Sequence, residues 1–140
     1  MPYAAIGHLE IRFGVDELEQ LAPTADEGES LDSDKLEAAL TEATAEMDTF
    51  IAVAYSLPLA STPAFLVTVC CDIARFRLWD DSASDEVRKR YEDAISWLRR
   101  LAKGEVNLGL PTQEGGSRPQ VAVKRTAADR VFTRESLKGF

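Results

Sequence analysis

No stretch of this chain is long and apolar enough to suggest a membrane span. A spanning helix needs about 18 or more largely uncharged apolar residues, and the longest candidate, Ala64 to Cys71, is closed by Asp72 and Arg75. The opening Met1-Pro2-Tyr3-Ala4 has neither the basic region nor the apolar run of a secretory signal. Residence in the cytosol is therefore expected, with no membrane partner.

Cysteine and histidine are scarce. The two cysteines, Cys70 and Cys71, are adjacent, and a disulfide between neighbours strains the peptide that joins them. That excludes a disulfide framework, and a zinc site made from cysteines alone would need more ligands at a looser spacing. Both read as small core residues. His8 is the single histidine, so any Ser-His-Asp or Cys-His arrangement would have to use it. No G-x-S-x-G, P-loop, G-x-G-x-x-G or H-E-x-x-H pattern occurs. Carboxylates are plentiful, but they fit helix caps and exposed faces. No catalytic residue, cofactor or metal is expected, and the chain reads as a non-enzyme.

What is present is enough apolar material for one folded body. The 140 residues are 45% hydrophobic and 29% charged, close to the average of globular domains. The net charge of −8 is unevenly divided. Residues 1–104 carry 20 acidic against 10 basic side chains, net −10, whereas residues 105–140 carry 4 against 6, net +2. A body of that sign repels nucleic acid at long range, which argues against ordinary DNA binding.

Helical periodicity recurs in segments across residues 1–104, so the expected fold is mainly α: a compact bundle of four to five helices. Ile6, Leu9 and Phe13, then Leu18 and Leu21, predict two short helices between Tyr3 and Ala22, with Gly14 as cap and turn. Leu36, Leu40, Ala43, Met47, Phe50, Ile51 and Ala54 mark the stripe of a helix over Asp34 to Tyr55, opened by an Asp34-x-x-Glu37 capping box. Pro58 and Pro63 then impose an extended link. Thr62 and Pro63 serve as cap and first residue of a helix running to about Asp80. Apolar residues cover most sides of that helix, which predicts a central, buried position. Ser84 caps the last helix, whose stripe is Val87, Tyr91, Ala94, Ile95, Leu98 and Leu101, and Lys103-Gly104 close it.

Two further segments fall outside the helices. Pro23 to Ser33 is acidic and turn-rich; its carboxylates do not fall in the register of a calcium-binding EF-hand, so it reads as a solvated loop. Residues 105–140 contain Gly109, Pro111, Gly115, Gly116 and Pro119 and few large apolar groups until near the end, which predicts an extended C-terminal arm rather than a second core. Val121 to Val123 could pair as one short strand. The candidate partner-binding residues of the arm are Val121, Val123, Arg125, Arg130, Phe132, Arg134, Leu137 and Phe140: a segment with no core of its own that carries aromatic anchors suggests docking on another surface. The plainer reading, a frayed terminus without function, stands beside it.

Several segments together resemble a known family. They are Tyr3-Ala4 with Arg12-Phe13-Gly14 and Glu17-Leu18, the link Tyr55-Ser56-Leu57-Pro58-Leu59, the run Cys71-Asp72-Ile73-Ala74-Arg75-Phe76-Arg77-Leu78, and Val87-Arg88-Lys89-Arg90-Tyr91-Glu92-Asp93-Ala94. Over residues 3–110 they resemble the Mu-like phage virion proteins described as head-tail connector or neck proteins. The resemblance implies a helical adaptor made in the host cytoplasm, whose copies form a homo-oligomeric ring, of twelve in the pattern it suggests. The ring would sit in the virion neck beneath the portal protein and contact a tail-side neck or tail terminator protein, with DNA passing through the channel unread. It brings no catalytic residues.

In that setting Arg88, Arg90 and Arg99 become candidates for an intersubunit face meeting a neighbour's Glu42 and Glu46, against the plain reading of a solvated helix face. The competing function is a free cytosolic helical interaction or nucleic-acid-binding regulatory protein, for which the arginines of the last helix would be the recognition surface.

Overall fold

The computed structural model describes residues 1–25 and 31–112. Five α-helices account for most of them: α1 Ile6–Phe13, α2 Val15–Leu21, α3 Ser33–Ile51, α4 Ala64–Trp79 and α5 Asp85–Lys103, with a 3-10 turn at Asp80–Ser82 between the last two. No strand occurs among the described residues. The bundle is mainly α, as its periodicity predicts.

Helices α3, α4 and α5 pack on one another in all three pairings, and the short α1 and α2 form a hook, α1 resting on α4 and α3. The core is drawn from every helix. Leu9 and Leu18 of the hook, Leu36, Leu40, Met47 and Ile51 of α3, Leu66, Val69 and Ile73 of α4, and Leu98 and Leu101 of α5 are all buried. Each fully buried aliphatic side chain of this kind contributes about 1.5–3 kcal/mol relative to an exposed one. Helix α4 buries six residues, from Leu66 to Ala74, including both cysteines, because three helices surround it. One polar side chain, Thr44, lies in this interior; its hydroxyl takes the Tyr3 N–H at 3.1 Å and lies 3.7 Å from the Cys70 sulfur.

The helix ends correct three boundary expectations. Asp32, not Asp34, caps α3: its carboxylate accepts the Lys35 N–H at 3.1 Å, so the helix starts at Ser33 and no Asp34–Glu37 box forms. Helix α3 also stops at Ile51, and Ala54 and Tyr55 are buried from the turn that follows. Pro63, not Thr62, holds the cap position of α4, with Ala64 the first helical residue. The sequence carries these signals one or two places along, and local hydrogen bonding selects among them. The other ends fall as expected. Gly14, at φ 84°, closes α1 and opens α2, a left-handed conformation that suits glycine. Ser84 caps α5 through the Val87 N–H, and Gly104 terminates it at φ 81°.

The packed body continues beyond Gly104, past the boundary drawn from composition. Val106, Leu108 and Leu110 lie against the core. The Tyr55 hydroxyl organises this return, accepting the Leu108 N–H at 2.9 Å and donating to Asn107 Oδ1 at 3.2 Å. The acidic loop residues 26–30 and the arm from residue 113 onward, with its candidate strand Val121–Val123, lie outside the described residues.

Candidate functional site

Three polar clusters fix the outer faces of the bundle. On α4, Arg75 donates from Nε and Nη2 to Glu17 Oε1 at 2.9 and 2.8 Å, and the Trp79 indole N–H donates to the same oxygen at 2.9 Å. Arg75 also stands over the Phe13 ring, 4.4 Å from its centroid. These contacts join α2 to α4. A second link runs from α1, where Arg12 donates to Thr68 Oγ1 at 3.3 Å and to Asp72 Oδ1 at 3.2 Å. Burial raises the Asp72 pKa, and the nearby guanidinium of Arg12 works against that shift.

The third cluster joins α3, α4 and α5 and contains two of the residues expected at a subunit interface. Glu46 accepts from Arg77 at 2.7 Å and from the Tyr91 hydroxyl at 2.7 Å, and Arg77 reaches Glu42 at 3.5 Å. Tyr91 stacks on Phe76 with centroids 4.0 Å apart and planes at 11°. Burial, reinforced by Glu46, raises the Tyr91 pKa. Glu46 is thus engaged within its own chain, by Arg77 of α4. Glu42 remains exposed. Arg88 and Arg99 project from α5 into solvent, and Arg90 pairs with Glu86 at 3.0 Å on the same helix. The other eight candidates, Val121, Val123, Arg125, Arg130, Phe132, Arg134, Leu137 and Phe140, lie outside the described residues.

Between the arginine-bearing faces lies a groove of about 390 Å³. Helix α4 supplies Phe65, Val69 and Asp72 and α5 supplies Arg90, Asp93 and Trp97, with Arg12 of α1 at its edge. Phe65 and Trp97 meet edge to face, centroids 4.7 Å apart and planes at 63°. Phe65 is nevertheless 50% exposed. The groove is therefore an apolar trough with an aromatic wall and a charged rim, suited to holding a side chain with an apolar body and a polar neighbour. Sequence reasoning missed it. Its signal was two large aromatics, Phe65 and Trp97, standing off the core stripes of their own helices.

The single histidine and the two cysteines are tied into the fold. His8 Nδ1 accepts the Ala5 N–H at 2.9 Å and closes the first turn of α1. Cys70 and Cys71 are fully buried, and burial pushes the Cys71 thiol up to about 12, with Cys70 shifted in the same direction. Among the described residues no three His, Cys, Asp or Glu side chains group to hold a metal ion. No helix among them is long and apolar enough to cross a membrane.

Comparison with known proteins gives a consistent answer. The family model described as Bacteriophage Mu, Gp36 matches residues 3–125. The Mu-like prophage FluMu protein gp36 of Haemophilus influenzae is 36% identical over 138 residues, covering 99% of this chain and 97% of its own length. Gene product J of Escherichia phage Mu is 29% identical over 142 residues, covering 100% and 99%.

Proposed function

We propose, because this chain belongs to the Bacteriophage Mu Gp36 family, that it is a structural subunit of the phage neck. In this reading its copies form a closed ring beneath the portal protein and join the head to the tail. The observation that carries the reading is an acidic helical body that leaves large apolar side chains on its outside. Ile11 is 86% exposed, Val53 63% and Phe65 50%, while residues 1–112 hold 21 acidic against 10 basic side chains, net −11. Apolar groups in those positions are buried when copies associate, and one surface repeated around an axis closes into a ring. The excess of carboxylates suits a channel wall along which DNA slides without adhering.

Arg88 and Arg99, with Glu42, which stays 62% exposed beside Arg77, are the groups that would fix the register between neighbours. The arm beyond residue 112 extends the contact to an adjacent copy, to the portal or to the protein on the tail side. Deleting the gene tests the proposal. Heads and tails that form separately and fail to join are expected, whereas complete infectious particles would overturn it.

A free regulatory protein that binds nucleic acid is the competing reading, and it would rest on the outward-facing Arg88, Lys89, Arg99, Arg100 and Lys103 of α5. The net −11 of residues 1–112 opposes it. Gel shifts at low and moderate salt separate the two: retention of DNA that weakens steeply with salt would favour the regulatory protein.

A further inference from the structure

The groove between α4 and α5 is concave and has an apolar interior. Val69 and Ala94 give it a buried floor, Phe65 and Trp97 an aromatic wall, and Arg12, Arg90 and Asp93 a charged rim. Asp93 has no hydrogen-bond or ion-pair partner among the described residues, whereas Arg12 and Arg90 are paired with Asp72 and Glu86. An occupant matching this surface carries large apolar side chains with cations between them.

We propose that the occupant is residues 130–140 of this chain. This rests on reading the segment beyond residue 112 as an interaction arm. Three large apolar side chains, Phe132, Leu137 and Phe140, fall within its last nine residues, and Arg134 and Lys138 stand between them. Residues 113–140 hold 6 basic against 3 acidic side chains, net +3, opposite in sign to the net −11 of residues 1–112. Their 28 residues span up to about 90 Å when extended, several times the radius of a body this size, so the groove of the same copy or of an adjacent one is within reach. Aromatic anchors entering a desolvated apolar trough carry most of the affinity of such contacts. Arg134 or Lys138 then supplies the charge that Asp93 lacks.

The test is disulfide trapping in the full-length chain. Phe65→Cys with Leu137→Cys places one thiol at the groove and one in the segment. Val53→Cys with Leu137→Cys is the control, since Val53 is at least as accessible to solvent as Phe65 but does not line the groove. The native cysteines are buried and do not compete. Under mild oxidation the groove pair is expected to close about tenfold faster or more than the control, reflecting a higher local concentration. Adding Phe132→Ala and Phe140→Ala, which change no residue of 1–112, should return it to the control rate. A cross-linked band of doubled mass means the segment comes from an adjacent copy, and one of unchanged mass that it comes from the same copy. Equal rates for the two pairs, or a rate indifferent to loss of the aromatics, would overturn the proposal. The neck assignment would still stand or fall separately, on whether the gene deletion leaves heads and tails unjoined.

Discussion

Trp79, the last residue of α4, donates its indole N–H to Glu17 of α2 at 2.9 Å, on the oxygen that also receives Arg75. One carboxylate thereby satisfies two side chains of α4 and fastens the N-terminal hook to the bundle. Glu17 and Arg75 are both largely buried, with side-chain exposures of 18% and 15%, so losing the carboxylate leaves donors without partners. Glu17→Ala is expected to cost about 1–3 kcal/mol of unfolding free energy, with Glu17→Gln costing less because its amide oxygen still accepts one bond. Denaturant unfolding followed by tryptophan fluorescence measures both, and Glu17→Ala at wild-type stability would show that the hook is held by packing alone.

The Glu46 cluster should behave as a structural element of the single chain. Tyr91→Phe removes the hydroxyl that donates to Glu46 but keeps the stack on Phe76, and a loss of about 0.5–1.5 kcal/mol is expected. Changing an exposed arginine that makes no hydrogen bond or ion pair among the described residues, Arg99→Ala, should leave unfolding unchanged within about 0.5 kcal/mol. If that arginine serves the ring, its loss appears in assembly. Equal effects of the two variants on unfolding would contradict this division.

Both thiols should be silent in the native state. Cys70 and Cys71 are fully buried and burial disfavours their thiolates, so Ellman's reagent at pH 8 should find neither cysteine in the folded chain and both after denaturation. A fast-reacting native thiol would contradict the packing of α4.

Stability should fall on the alkaline side. Tyr3, hydrogen-bonded to Asp48, has its pKa raised by burial, as do Tyr91 and the two cysteines. Groups with folded pKa values above their unfolded ones contribute stability that is complete below the unfolded pKa and lost as pH rises through the folded one. The unfolded values are 9.0 for the thiols and 10.0 for the tyrosines. Tm should therefore hold steady from pH 7 to about 8.5 and decline above it, with a shallower decline in Cys71→Ala. A Tm rising between pH 9 and 11 would reverse the sign.

Much of this architecture is written in the spacing of apolar residues. The stripes of α3 and α5 and the all-round coverage of α4 give the helices and the central place of α4, since each stripe has one way to be buried. Cap positions are less legible. Asp32 and Asp34 are both good caps, and hydrogen bonding decides for Asp32, whose N–H donates to the Ala22 carbonyl at 2.9 Å and whose carboxylate accepts the Lys35 N–H. The return of Val106 to Leu110 onto the core is hidden because its signal is the Tyr55 hydroxyl, 52 residues from Asn107 in sequence. Nor does spacing show that the Arg77 guanidinium takes both Glu42 and Glu46. The groove depends on two aromatics from different helices meeting in space, which one-dimensional periodicity does not encode.

Electron microscopy of the assembled phage particle that carries this chain bears most directly on the neck assignment. A closed ring of this five-helix fold between portal and tail, with adjacent copies covering Ile11 and Val53, is the expected density. An intact junction with no copy of this fold would contradict it.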